Sequence, residues 1–125
     1  MPLVLHESAE MYLETIHVLS KEKEHVRGVD IAQRMGYSKP TISEWMGKLG
    51  DAGYVHIDEK GNISLTEMGN DVATRTYERH EALTEFFTKI GVQPERAESD
   101  ACRVEHYISD ETFDALKRHL TRIEA

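Results

Sequence analysis

The sequence predicts a mainly α-helical fold in two parts, with three helices and a β-hairpin followed by three further helices. Two observations predict this order. Apolar residues at helical spacing, together with cap and stop residues, mark six separate helical segments, and alternating apolar residues flank a turn that contains Gly and Asn after the third segment. The length of 125 residues, of which 39% are hydrophobic and 30% charged, suits one ordinary domain or two small helical ones.

The first two helices have clear start and stop signals. Apolar spacing predicts a helix over residues 8–23, which Ser8 can cap. A shorter helix over 29–35 ends at Gly36, because glycine readily adopts the left-handed conformation that closes a helix. Ala32 is small, so this helix can approach its neighbour closely.

The third helix follows after a short turn. Ser38 is a typical N-cap, and Pro40 lies in the first turn, where its missing N–H leaves no helical hydrogen bond unmade. The helix extends to about Leu49. The apolar residues of the second and third helices that are expected to form the core are Ile31, Ile42, Trp45, Met46 and Leu49.

A β-hairpin and three more helices complete the prediction. Two strands, 54–58 and 63–65, flank a four-residue turn that contains Gly and Asn. Thr66 can cap a long helix to about Lys89, although the third helical position carries Gly69 and not the Glu of a capping box. The last two helices are predicted over 94–106 and 110–122.

Three helices and a hairpin in this order are typical of a winged helix-turn-helix. In this motif the second and third helices form a pair, and the later helix of the pair enters the major groove of DNA. Short hydroxyl groups and lysines on the outward face of the third helix suit contacts with phosphates and base edges. Two further candidates lie outside this helix, one before the second helix and one in the hairpin, or wing. The candidate DNA-binding residues are Arg27, Ser38, Lys39, Pro40, Thr41, Ser43, Glu44, Lys48 and Lys60.

The charge distribution leaves an alternative open. A formal net charge of −8 disfavours nucleic acid, because phosphates must be neutralised by Lys and Arg. Residues 25–50 nevertheless carry four basic residues against Asp30 and Glu44, a net charge of +2 where the DNA-reading helix is predicted. A winged helix that binds a protein partner remains the alternative interpretation of this segment.

Residues with metal-binding side chains recur in the second half. Cys102, Glu105 and His106 are spaced i, i+3 and i+4 on one predicted helix, so a thiolate, a carboxylate and an imidazole share one face. Taken singly, each has an ordinary structural role, but together they predict a metal site. Further candidate ligands are Met11, Glu14, His80 and Glu98.

The donor set indicates the class of metal. Mixed sulfur, imidazole and carboxylate ligands favour divalent transition metals such as Fe²⁺ over Mg²⁺ or Ca²⁺, whereas carboxylates without sulfur favour Mn²⁺. The thiolate must lose its proton, so the metal affinity is expected to rise with pH. Two alternatives stay open, a structural metal in an interaction module and a metalloenzyme, although no second cluster offers a general base.

Composition predicts a cytoplasmic protein. No apolar stretch approaches the ~18–20 residues of a membrane span, and the first ten residues carry neither a basic region nor a cleavage site, so no signal peptide is expected. Cys102 is the single cysteine, which excludes a disulfide within the chain and fits a reducing compartment.

The chain resembles the iron- and manganese-dependent transcriptional repressors typified by diphtheria toxin repressor and the manganese transport regulator. The resemblance extends over about 8–122, and the last of its matching stretches is the most specific. The stretches that carry it are 10–16, 30–32, 38–43, 65–69, 79–80 and 100–110.

The resemblance implies a homodimer that binds a double-stranded DNA operator when loaded with metal and that represses metal-homeostasis genes, not an enzyme. It implies a winged-helix DNA-binding domain over 1–65 and a helical metal-binding and dimerisation domain over 66–125, as in members without an SH3-like third domain.

The resemblance also assigns metal ligands. It implies that Met11, Cys102, Glu105 and His106 bind the regulatory metal, and that His80 and Glu98 belong to a second, adjacent site. Met11 and Cys102 resemble the iron-responsive branch, whereas Glu14 resembles the manganese-responsive branch, so Fe²⁺ is the expected cofactor and Mn²⁺ the next. A carboxylate usual in the family is replaced by Thr84, where Glu81 or Glu85 could substitute.

Overall fold

A computed structural model of the protein describes residues 7–124, with side chains from 8 to 122. The elements follow the predicted order: α1 (Glu7–Glu22), α2 (Gly28–Met35), α3 (Lys39–Asp51), β1 (Val55–Ile57), β2 (Ile63–Leu65), α4 (Glu67–Lys89), α5 (Pro94–Val104) and α6 (Asp110–Glu124). The mainly helical fold class is thereby confirmed. The prediction that the first residues are no signal peptide falls largely outside the described residues.

The described residues form two compact units, one up to Thr74 and one from Arg75. Helix α4 runs through both, so its first eight residues belong to the first unit. The predicted functional boundary after Leu65 remains a prediction. Even α4, the longest helix in the described part of the chain, lacks the apolar run that a bilayer span requires.

The core of the first unit lies where α1, α2, α3 and the hairpin meet. Four of the five predicted core residues are buried, whereas Trp45 is half-buried and packs against the cluster from its edge, 5.1 Å from the Tyr12 ring. Strands β1 and β2 pair antiparallel, with Val55 opposite Leu65 and Ile57 opposite Ile63. The strands are shorter than predicted, since Tyr54 and Asp58 lie outside the ladder.

The turn between α2 and α3 has the predicted geometry. Gly36 adopts φ 74° and its N–H donates to the carbonyl of Ala32, which ends α2. The Ser38 hydroxyl then accepts from the backbone N–H of Thr41 at 3.3 Å, and Pro40 occupies the first turn of α3. These interactions fix the direction in which α3 leaves the turn.

The second unit is built from the rest of α4 with α5 and α6. Ala97 and Ala101 are spaced i, i+4, so they share one face of α5, and both are fully buried. Their small side chains allow neighbouring helices to approach this face closely. Leu83, Phe113 and Leu120 fill the remaining core. Ile90 is 58% exposed and so is available for a subunit contact.

Candidate metal centre and nucleic-acid interface

A buried carboxylate lies between two imidazoles in the second unit. Glu105 Oε2 is 3.0 Å from His80 Nδ1, and Glu105 Oε1 is 3.3 Å from His106 Nε2. The side chains of Glu105 and His106 are fully buried, and that of His80 is 19% exposed. Within the described part of the chain, Glu105 Oε1 accepts no hydrogen bond of good geometry.

This arrangement fits a divalent cation. A buried carboxylate oxygen without a hydrogen-bond donor costs about 1–3 kcal/mol or more, which is why such groups are normally paired or bound to a metal. Imidazole and carboxylate are both ligands of divalent transition metals. Glu105 and the two histidines supply two of the three predicted donor types, carboxylate and imidazole.

The other two predicted ligands of this unit border the same place. Glu98 Oε1 is 3.8 Å from His80 Nε2, so the two ring nitrogens of His80 face different carboxylates. Glu98 and half-buried Cys102 line a shallow groove of ≈ 440 Å³ together with His80. These contacts connect Glu98 through His80 to Glu105 and His106, while Cys102 borders the groove beside His80 and Glu98.

The predicted end of α5 is wrong by two residues. The helix ends at Val104, Glu105 is its C-cap, and His106 lies in the following turn. Glu105 keeps the helical angles φ −56° and ψ −25°, so its spacing from Cys102 on the helix surface is preserved.

The Thr84 hydroxyl is bonded to the backbone of its own helix. Its hydroxyl donates to the carbonyl of His80 at 2.7 Å, one turn back along α4. Glu81 and Glu85 are both exposed, and Glu85 lies 3.7 Å from Lys89 in an ion pair along the helix.

The two candidate ligands of the first unit lie on α1. Met11 and Glu14 are both half-buried, and their spacing of three residues places them on one helix face. Their participation in the metal site stays a prediction from the sequence.

Sequence reasoning about function missed Arg79, which fastens the ligand-bearing turn to α4. Its Nη1 donates to the carbonyls of Ile108 (2.7 Å) and Glu105 (3.4 Å), and its Nη2 pairs with Asp110. The side chain is only 12% exposed, and its guanidinium lies over the Phe113 ring. The one available signal was its position next to His80.

Arg79→Ala is expected to destabilise the second unit by about 2–3 kcal/mol, because two partly buried carbonyls lose their donor. Thermal unfolding followed by circular dichroism measures this effect. Asp110→Asn is the matched control, since that carboxylate is 81% exposed and its ion pair contributes at most about 1 kcal/mol. Equal stabilities of the two variants would contradict this role of Arg79.

The outward face of α3 carries most of the predicted DNA-binding residues. Ser38, Lys39, Pro40, Ser43, Glu44 and Lys48 are exposed, and Thr41 is half-buried. Two of the hydroxyls also serve the helix itself, because Ser38 Oγ and Thr41 Oγ1 lie 2.8 Å apart at its N-terminus. The structure therefore places these residues on one accessible surface.

The wing is ordered by its own side chains. The backbone N–H groups of Asn62 and Lys60 and the Asn62 side-chain amide donate to the Asp58 carboxylate, which holds the pKa of Asp58 below its usual value. Arg27 Nε donates to Asn62 Oδ1 at 3.2 Å and so fastens the start of α2 to the wing. Exposed Lys60 lies at the tip.

Comparison with known families assigns both halves. Residues 4–63 match the family model of the iron dependent repressor N-terminal DNA binding domain. Residues 66–125 match the model of the iron dependent repressor metal binding and dimerisation domain. The two matches together cover nearly the whole chain.

Individual relatives agree with these matches. The chain is 36% identical to the transcriptional regulator MntR of Escherichia coli O6:H1 over 106 residues, which are 85% of this chain and 68% of that protein. An uncharacterised helix-turn-helix regulator of Methanocaldococcus jannaschii is 29% identical over 90% of this chain and 92% of its own length.

Solved structures share the fold. A manganese-dependent transcriptional repressor in complex with manganese superposes with a TM-score of 0.82 at 29% identity. The match covers 90% of this chain and 52% of the solved one, so the chain spans about half of the length of that repressor.

Proposed function

Since the chain belongs to the iron-dependent repressor family, we propose that it is a metal-dependent transcriptional repressor that binds operator DNA as a homodimer when loaded with a divalent transition metal. The observation that carries this proposal is the buried Glu105 carboxylate between His80 and His106. The family consists of transcriptional regulators, so we do not propose a catalytic activity.

The proposed ligand set includes residues of both units. In the second unit, His80, Glu98, Cys102, Glu105 and His106 supply imidazole, carboxylate and thiolate donors. We propose that Met11 and Glu14 of α1 complete the set, as the resemblance implies. The cation supplies positive charge to this acidic set and a common bonding partner for side chains that are far apart in sequence. Cys102 and Met11 favour Fe²⁺, whereas manganese is named for the solved relative.

The DNA-binding surface is proposed to be α3 with the wing. In a symmetric dimer, two copies of α3 would enter successive major grooves about 34 Å apart. Lys39, Lys48 and Lys60 would contact phosphates, which compensates locally for the net charge of −8. Metal-dependent repression then requires that metal binding favour the conformation with this spacing. The metal must bind that conformation more tightly than the others by a few kcal/mol.

The proposal is tested by anaerobic binding to DNA from upstream of the protein's own gene, at one fixed salt concentration. Chelator, Fe²⁺, Mn²⁺ and Zn²⁺ are compared in turn, using the full chain. We expect tight binding only with Fe²⁺ or Mn²⁺, and the stronger of the two identifies the cofactor. Equal binding in every condition, or none, would contradict the proposal.

A structural metal would behave differently. In that case removal of the metal unfolds the chain, because the binding free energy is then folding free energy. Circular dichroism of the chelator-treated protein distinguishes the two, since a co-repressor model requires that the six helices persist without metal.

A further inference from the structure

Helix α3, the proposed recognition helix, carries one carboxylate in the middle of its proposed DNA-facing surface. Glu44 is the sixth residue of α3 and its side chain is 68% exposed. With ~100° of rotation per residue, it lies roughly 200° around the helix from buried Ile42. Glu44 therefore points away from the core of the domain, in the direction in which a recognition helix contacts DNA.

An acidic side chain at this place opposes the general electrostatics of DNA binding. Each phosphate repels a carboxylate, so a glutamate on this surface weakens binding unless a donor on the DNA compensates for it. In the major groove, cytosine offers its N4 amino group to a carboxylate, whereas adenine suits the amide of Gln or Asn and guanine suits Arg or Lys. Adenine also has an amino donor, but its neighbouring N7 acceptor repels a carboxylate, so the chemistry of Glu44 favours cytosine.

A lysine one helical turn further on forms an exposed ion pair with this carboxylate and partly balances its negative charge. Lys48 Nζ lies 3.3 Å from Glu44 Oε1, one helical turn further on. The same ammonium group is 5.1 Å from the centre of the Trp45 ring, which is half-buried against the core. Lys48 is thereby kept on the Glu44 side of the helix, where it offsets the repulsion between Glu44 and the phosphates.

The neighbouring hydroxyl groups are less suited to base reading. Ser38 and Thr41 bond to one another at the N-terminus of α3, and Ser38 also caps the helix. Pro40 has no side-chain donor or acceptor. Ser43 is exposed, but a hydroxyl accepts and donates and therefore discriminates poorly between bases.

We propose that Glu44 is a specificity-determining residue that accepts a hydrogen bond from the N4 amino group of a cytosine in each operator half-site, with Lys48 as its charge partner. This inference rests on the proposed function. It adds a base preference at one position, which neither the fold nor the family match supplies.

The test is selection of binding sites from random double-stranded DNA by the metal-loaded full chain at fixed salt. The proteins compared are the wild type, Glu44→Gln, Glu44→Ala and Glu24→Gln. The last variant is the control, because it makes the same change of charge at an exposed residue outside α3. Affinities for the selected site and its single-base variants are then measured.

For the wild type and Glu24→Gln we expect cytosine at one position of each half-site. Glu44→Gln should select adenine there, and Glu44→Ala should show no preference at that position alone. Replacing the cytosine should weaken the wild type about 5- to 150-fold, the range for one good base contact.

The negative outcomes are distinguishable. If the wild type selects a motif that is unchanged in both Glu44 variants, Glu44 reads no base and its pair with Lys48 serves only the helix. If the wild type selects no motif with any metal, the proposed function fails together with this inference.

Discussion

Glu105→Gln is expected to abolish the metal-dependent increase in DNA affinity while leaving the metal-free protein folded. The amide preserves the volume of the buried side chain but offers the cation no negative charge. Because even residues that only support metal ligands contribute 10–100-fold to metal affinity, we expect the loss at a ligand to be at least about 100-fold. The metal affinity is measured by titration, and the DNA affinity at fixed salt with and without metal.

Thermal unfolding supplies the control for this variant. A ligand at a hundred times its Kd stabilises a folded protein by about 2.7 kcal/mol, so the wild type should melt at a higher temperature with metal. Glu105→Gln should lose this increase, whereas Glu111→Gln, which removes a charge from the exposed first turn of α6, should keep it. A metal-induced increase that survives in Glu105→Gln would exclude Glu105 as a ligand.

Local signals in the sequence accounted for most of the helix boundaries. Gly36 and Ser38 act through their own backbone conformation and through atoms three to five residues away, so their roles are legible from neighbouring residues alone. The turn that follows α5 is held by Arg79, which is 26 residues distant from Glu105 in the chain. Such a contact leaves no trace in a local pattern.

The part of the candidate site that is close in sequence was predictable, whereas the contacts between distant residues were not. Cys102, Glu105 and His106 lie within five residues, so the sequence could name them as one group, but His106 lies in the turn after α5 and not on the helix. His80 was named from the chemistry of its side chain and the resemblance, but its contacts on both ring nitrogens follow only from the packing of α4 against α5.

Gly69→Ala is expected to be the most destabilising single-methyl change in the first unit. A Cβ at this position would lie 1.9 Å from the carbonyl oxygen of Tyr54, an impossible contact with backbone that cannot rotate away. This close approach explains why the capping box at Thr66 lacks its glutamate: the Thr66 hydroxyl accepts from the N–H of Gly69 at 3.1 Å, but no side chain fits there. Separating α4 from the hairpin should cost about 3 kcal/mol.

Gly47→Ala is the matched comparison for this prediction. Gly47 is exposed in the interior of α3, and an added Cβ would meet no atom within 4 Å. The higher helix propensity of alanine should therefore stabilise the protein by up to about 1 kcal/mol. In thermal unfolding of the metal-free chain, the two variants should shift the midpoint in opposite directions. Similar midpoints would mean that α4 moves away from Tyr54 at little cost, and that the hairpin is not held against α4 by this contact.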